Sequence, residues 1–268
     1  MCKKNKGEKG QEGDRMNNKL KKTALVTGAT SGIGLGFCKS LAKRGYHLVM
    51  VASRKKELER ICHFFEKAYP KQHFAVICQD LSCKGAAAKV YHAIKKSGYE
   101  IDILVNNAGF GVVGAAEEIA MEREEEMCYV NMITPMQLCK FFLKDMKARK
   151  SGKIVNVAST GAFQPGPYTA SYFASKAYIS SYSRAISHEA SKSSVEVFTL
   201  YPGTTRTKFF AKTGKKTPVW AMSPDKVAET ACNAMEKGKK VIVTGRLNQL
   251  LRIVPSEIKM KAIAIMKK

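Results

Sequence analysis

Tyr172 and Lys176 stand four residues apart in the stretch ASYFASKAYISSY. On a helix that spacing puts both side chains on one face, about one turn apart. A phenol titrates near about 10 in water, so acting as an acid or base close to neutral pH requires help for its phenolate, which a neighbouring ammonium supplies. The pair is therefore a candidate proton-transfer device. A second constellation lies near the other end of the chain: Thr27-Gly28-Ala29-Thr30-Ser31-Gly32-Ile33-Gly34, directly after the apolar run TALVT. Glycine permits a tight turn and close backbone approach, and the free N–H groups of a helix that starts inside such a turn hold the phosphates of a dinucleotide. The three residues between Gly28 and Gly32 set this turn apart from the G-x-G-x-x-G spacing.

Groups so far apart in sequence need a scaffold to bring them together. From Lys22 onward, short apolar runs alternate with longer amphipathic stretches: TALVT then 32–44, HLVMVA then 55–69, HFAVIC then 84–97, and DILVNN then 117–149. The pattern continues with KIVNVAS then 168–191, VEVFTLY then 224–237, and KVIVT followed by a last helix. Apolar strands separated by helices are what a parallel sheet covered on both faces requires. The expected fold is a single doubly wound, Rossmann-like α/β domain with a roughly seven-stranded parallel sheet over 21–245. Residues 1–20 are polar, Gly- and Lys-rich and aperiodic, which predicts a disordered basic leader. The tail, 246–268, places Leu247, Leu250, Leu251, Val254, Ile258 and Ile265 at roughly helical spacing among basic residues. It reads as one basic amphipathic helix that packs on its own core, contacts another subunit, or lies on an anionic membrane surface.

The glycine turn resembles the TGxxxGxG of the short-chain dehydrogenase/reductase family, and further matches follow in the family's order across nearly all of 22–245. Asn106-Asn107-Ala108-Gly109 ends the fourth strand like the family's NNAG. Asn131 follows a helix, Ser159 ends the fifth strand, and Tyr172-x-x-x-Lys176 comes thirteen residues later. Pro202-Gly203, with Thr205 and Thr207 after it, resembles the PGxxxT that meets the nicotinamide amide. The resemblance implies an oxidoreductase that moves a hydride between a nicotinamide cofactor and a carbonyl or alcohol. It implies that Tyr172 exchanges the proton, that Lys176 also holds the nicotinamide ribose, that Ser159 hydrogen-bonds the substrate oxygen, and that Asn131 positions a water in a proton relay. Taken locally, Thr160 is an alternative to Ser159, although position favours Ser159, and a cap for the helix that follows is the lesser reading of Asn131.

The cofactor is read at the end of the second strand, where an acid holds the ribose hydroxyls of NAD and an arginine the 2′-phosphate of NADP. This strand ends Val51-Ala52-Ser53-Arg54-Lys55-Lys56, with no acid. Ser53 and Arg54 therefore favour NADP(H) over NAD(H). Asp80, with Leu81 beside it, resembles the family's adenine contact, although a cap for the next helix is an equal local reading. Phe110 to Val113, Gly161 to Gln164 (with Phe163 among them), and Phe209, Phe210 and Trp220 supply apolar candidates for the substrate wall. They point to a hydrophobic ketone or secondary alcohol of hydroxysteroid, lipid or simple ketone type. Relatives form homodimers or homotetramers, commonly through helices corresponding to 117–149 and 168–191, and the resemblance extends that expectation here.

Composition limits the other readings. The 268 residues are 45% hydrophobic and 25% charged, ordinary for a globular chain. No stretch reaches the roughly 20 apolar residues of a spanning helix, and none resembles a signal peptide, so the expected location is cytoplasmic. The eight cysteines form no CxxC and the five histidines no HExxH, which leaves metal catalysis without a motif and the thiols reduced. A formal net charge of +24 predicts attraction to polyanions, yet the lysines are scattered, with small clusters at Lys19–Lys22, Lys147–Lys153 and Lys208–Lys216, and no nucleic-acid-binding signature accompanies them. The rival to an enzyme is a catalytically silent NADPH-binding scaffold or sensor with a polyanion-binding surface.

Overall fold

In the computed structural model, residues 22–207, 218, 221–250 and 254–267 are described. The leader 1–20, the cluster Lys208–Lys216 and Phe209, Phe210, Trp220 and Leu251 lie outside them. The apolar runs become strands: β1 (Thr23–Thr27), β2 (His47–Ala52), β3 (Phe74–Cys78), β4 (Ile103–Asn106), β5 (Gly152–Val157), β6 (Val195–Tyr201) and β7 (Val241–Val243). They form one seven-stranded sheet in the order β3-β2-β1-β4-β5-β6-β7, parallel at every pairing. The expected doubly wound α/β fold is the one observed. Strands β1, β2 and β4 are buried throughout, which is why they read as unbroken apolar runs rather than as alternation.

One face is covered by α1 (Gly32–Lys43), α2 (Lys55–Ala68) and α7 (Pro224–Glu236), packed through Phe37, Leu41, Leu58, Phe65, Val227 and Ala231. The other carries α3 (Ala86–Lys96), α5 (Thr134–Ala148) and α6 (Ala170–Glu189), packed through Val90, Ile94, Leu138, Phe142, Met146 and Ile186. Each large side chain buried here contributes about 1.5–3 kcal/mol. Crossing over from β3 to β4 reverses the direction in which strands are added, and the crevice beyond the carboxyl ends of β1 and β4 is the binding position such sheets create.

Two expected helices are interrupted. The stretch 117–149 divides into α4 (Met121–Cys128), a π-helical turn at Tyr129–Ile133 and α5. Pro135 is the cause: it has no N–H to give to the carbonyl of Asn131, four residues back, and its ring crowds that carbonyl, so the helix widens there. The tail, expected as one helix, folds as α8 (Arg246–Leu250) and α9 (Ser256–Lys267), because Pro255 steers Val254 out of helical backbone. Its predicted apolar face is also not the docked one. Leu247, Ile258 and Ile265 are 80%, 60% and 81% exposed, whereas Lys259 and Ile263 are buried. No helix among the described residues is long and apolar enough to cross a membrane.

Candidate active site

The glycine turn joins β1 to α1. Gly28 has φ +65°, a backbone conformation that side chains other than glycine resist, and a Cβ on Gly34 would lie 2.2 Å from the Gly28 carbonyl oxygen. Turn and helix can meet this closely only with glycine at both positions. The first turn of α1 contains no acid, and no side chain caps it, so its N–H groups and positive end face the crevice unneutralised. Thr27 fastens the turn to the segment after β4: its Oγ1 accepts from the N–H groups of Asn107 (2.9 Å) and Ala108 (3.0 Å), while Asn107 Nδ2 donates to the Thr27 carbonyl at 2.9 Å.

Asn131 is buried in the π-helical turn. Its Nδ2 donates to the Phe110 carbonyl (2.9 Å) and to Ser175 Oγ (3.0 Å), and its Oδ1 accepts from Phe110 N–H at 3.2 Å. One side chain thus ties the loop after β4 to α6. A Cβ on Gly109 would lie 2.9 Å from Asn131 Oδ1 and 3.3 Å from Lys176 Nζ, so these groups share one small space. Ser159 leaves β5 in extended backbone, its Oγ accepting from Gly161 N–H at 3.0 Å, and it hydrogen-bonds the Tyr172 phenol. Lys176 is 5% exposed, donates to the Val157 carbonyl at 3.0 Å, and sits 5.8 Å from the centre of the Tyr172 ring.

The electrostatics correct one expectation. Burial pushes the Tyr172 phenol above its ordinary value, and the Ser159 hydrogen bond offsets only part of this. Burial also brings Lys176 down to about 8. Removal of water disfavours the charged form of both groups and sets both directions. At neutral pH the phenol therefore holds its proton beside a charged lysine, which is the state needed to protonate a carbonyl oxygen.

These groups open onto one cleft of about 1040 Å³, running from Arg54 and Asp80 past the glycine turn to Ser159, Tyr172, Pro202 and Gly203. Among the described residues singled out from sequence, Thr27, Gly34, Asn131 and Phe163 do not line it, nor do Ala29, Asn106, Val112, Val113 and Ala162; the other candidates for catalysis, cofactor and substrate do. Thr27, Gly34 and Asn131 lie behind the wall and shape it. Phe163, expected on the substrate wall, instead stacks on Tyr201 with ring centres 4.9 Å apart; it ends a short 3₁₀ helix (Thr160–Phe163) whose tight winding turns the ring into the aromatic cluster around Tyr178 and Tyr182. Gln164 and Phe173 line the cleft in its place. Arg54 is exposed where α2 begins. Asp80 lines the cleft and accepts from the backbone and hydroxyl of Ser82 at 2.9 and 2.8 Å; this closes a loop turn and is not the cap expected as its other reading, because α3 starts after Gly85 and no side chain caps it. The Leu81 carbonyl accepts from Thr134 Oγ1 at 2.8 Å.

Two features escaped sequence reasoning. A buried polar ladder crosses the sheet under the site: Asn106 Nδ2 donates to Asn156 Oδ1 (2.9 Å), Asn156 Nδ2 to Ser183 Oγ (3.0 Å), and Thr199 Oγ1 to Ser183 Oγ (2.9 Å). It fixes α6, the carrier of Tyr172 and Lys176, to β4, β5 and β6; the signal was an asparagine inside each of the apolar runs DILVNN and KIVNVAS. The second is the tail. Asn248 from α8 sits so near the Pro202-Gly203 turn that a Cβ on Gly203 would lie 2.0 Å from its Nδ2, and Asn248, Lys259 and Ile263 all line the cleft.

A parallel sheet with an anion-ready helix start at its switch point, and a phenol, an ammonium and a serine hydroxyl across the same cleft, defines an oxidoreductase of the nicotinamide-dinucleotide class. Residues 22–218 match the short chain dehydrogenase family model, and the chain belongs to the short-chain dehydrogenase/reductase family. It is 31% identical over 242 residues to a fatty acyl-CoA reductase from Acinetobacter baylyi, covering 88% of this chain and 81% of the relative. It is 27% identical over 224 residues to a 7β-hydroxysteroid dehydrogenase from Mediterraneibacter gnavus, covering 81% and 84%. Among solved structures, a short-chain dehydrogenase from Sphingobium yanoikuyae in complex with NADPH superposes with a TM-score of 0.81 at 25% identity, covering 91% of this chain and 95% of that one.

Proposed function

We propose that this chain interconverts a hydrophobic ketone and the corresponding secondary alcohol with NADP(H), Tyr172 acting as the acid in reduction and the base in oxidation. The observation that carries this reading is the meeting of Ser159, Tyr172 and Lys176 in the wall of the cleft that the glycine turn closes. The cradle fits a dinucleotide: Gly28 and Gly34 leave room for close approach, and the start of α1 offers unneutralised N–H groups. When bound, the nicotinamide supplies or accepts the hydride. Ser159 orients the substrate oxygen, and Tyr172 gives it the proton. Lys176 holds positive charge beside the phenol as the proton leaves, and Asn131 fixes Phe110 and Ser175 around the site.

The preference for the phosphorylated cofactor rests on Ser53 and Arg54 at the mouth of the cleft, where a guanidinium offers charge-assisted hydrogen bonds to a 2′-phosphate. A hydrophobic substrate is supported by Phe110, Phe173 and Ile263 in the lining, and by relatives named for a fatty acyl-CoA and for a hydroxysteroid. The test follows NADPH absorbance with purified protein against hydroxysteroid-derived, aliphatic and aromatic ketones. Oxidation of NADPH by the wild type, lost in Tyr172→Phe, is expected. Tight NADPH binding with no turnover of any carbonyl would favour the silent scaffold, and a Tyr172→Phe variant as active as the wild type would remove the assignment.

A further inference from the structure

The last helix sets a cation in the wall of the catalytic cleft. Lys259 and Ile263 lie one turn apart on α9, both are 8% exposed, and both line the cleft that holds Ser159 and Tyr172. Lys259 Nζ donates to the Phe163 carbonyl at 2.9 Å, at the end of the 3₁₀ helix that starts next to Ser159. That position belongs to the substrate side of the cleft, not to the end marked by Arg54 and Asp80. Lysine is among the residues least often buried, and apolar docking of α9 is already provided by Ile263. Glu257, two residues earlier on α9, acts on Lys259 electrostatically, and the carboxylates of the cleft lining bond other groups, Asp80 bonding Ser82 and Glu126 bonding Arg123.

We propose that Lys259 is a specificity-determining residue that recognises an anionic group, a carboxylate or a phosphate, at the far end of the hydrophobic carbonyl substrate. The proposal rests on the reductase reading above. An ammonium in a wall of Phe110, Phe173 and Ile263 meets an anion at lower dielectric than in bulk water, where the attraction and the charge-assisted hydrogen bond are both stronger. The apolar lining takes the body of the substrate, Ser159 and Tyr172 its carbonyl, and Lys259 its charged end.

Three matched substrates made from one long-chain oxo acid test this with NADPH: the free acid, its methyl ester and its coenzyme A thioester. The wild type is expected to favour an anionic member over the ester by roughly tenfold or more in kcat/KM, mostly through KM, as loss of a hydrogen bond to a charged group implies. Preference for the acid assigns a carboxylate, and preference for the thioester a phosphate. Lys259→Gln, which keeps a donor for Phe163, is expected to bring the preference near parity, while Lys259→Arg retains it. A preference unchanged in Lys259→Gln, even with all rates lowered, would reduce Lys259 to a tether for α9 and overturn the proposal. Equal turnover of all three by the wild type, or turnover of none of them by a protein that oxidises NADPH with other ketones, sinks this proposal alone; no NADPH oxidation with these or with any ketone of the wider panel sinks the reductase reading with it.

Discussion

Replacing Lys176 by methionine separates what this residue does for chemistry from what it costs the fold. Burial lowers its pKa from 10.5 to about 8, so the unfolded chain binds the proton more tightly than the folded one. At neutral pH that difference destabilises the native state by about 3 kcal/mol. Methionine fills much of the same space without charge, but it leaves the Val157 carbonyl without the donor that now lies at 3.0 Å, a loss of about 1–3 kcal/mol. The expected outcome near neutral pH is a variant as stable as the wild type or more stable by about 1–2 kcal/mol, and without reductase activity. The sign of the pH dependence follows from the lowered pKa. Between about 8 and 10.5 the unfolded chain holds a proton that the folded one has released, so the wild type gains about 3 kcal/mol relative to Lys176→Met as pH rises through that window, and the order reverses at the alkaline end. Urea unfolding of both proteins across this range, followed by tryptophan fluorescence or circular dichroism, measures it. A stability difference that does not change with pH, or a variant much weaker at neutral pH, would refute the claim that this lysine is held charged against its desolvation.

The same titration governs activity: kcat/KM for carbonyl reduction is expected to fall as pH rises through about 8, where Lys176 loses its charge, as initial rates in a constant-ionic-strength buffer series will show. Tyr172→Phe removes the proton donor and should lower kcat by roughly a hundredfold to ten-thousandfold, with NADPH affinity by fluorescence titration nearly unchanged. Arg54→Ala should weaken NADPH by roughly tenfold or more while leaving NADH nearly unaffected, since only the former carries the 2′-phosphate; equal losses for the two cofactors would remove Arg54 from the phosphate. Gly34→Ala drives a methyl group to within 2.2 Å of the Gly28 carbonyl, and a stability loss of about 1–3 kcal/mol with loss of NADPH binding is expected by denaturant titration. Asn156→Leu breaks the ladder beneath α6 and leaves Asn106 and Ser183 short of partners, at a cost of about 1–3 kcal/mol by the same measurement.

The strands were legible because each is a short apolar run bounded by a change of period, and burial on both sheet faces enforces that pattern wherever the chain is read. The glycine turn and the Tyr172–Lys176 pair were legible for a related reason: their geometry is local, fixed by a single turn or one helical face. Strand order and the closing of the cleft were not local. The placement of Lys259 and Asn248 in the wall depends on where α8 and α9 land after Pro255 divides the tail, and the apolar spacing of Leu247, Ile258 and Ile265 pointed to a face that the fold leaves exposed. Phe163 is a similar case, since the side to which a ring on a 3₁₀ turn points is settled by the cluster awaiting it around Tyr201. The state of the site also belongs to the tertiary structure. Residue types nominated a phenol and an ammonium as partners, but their protonation follows from how much water the packed helices remove, and that desolvation is a property of the assembled fold, not of the spacing between two residues.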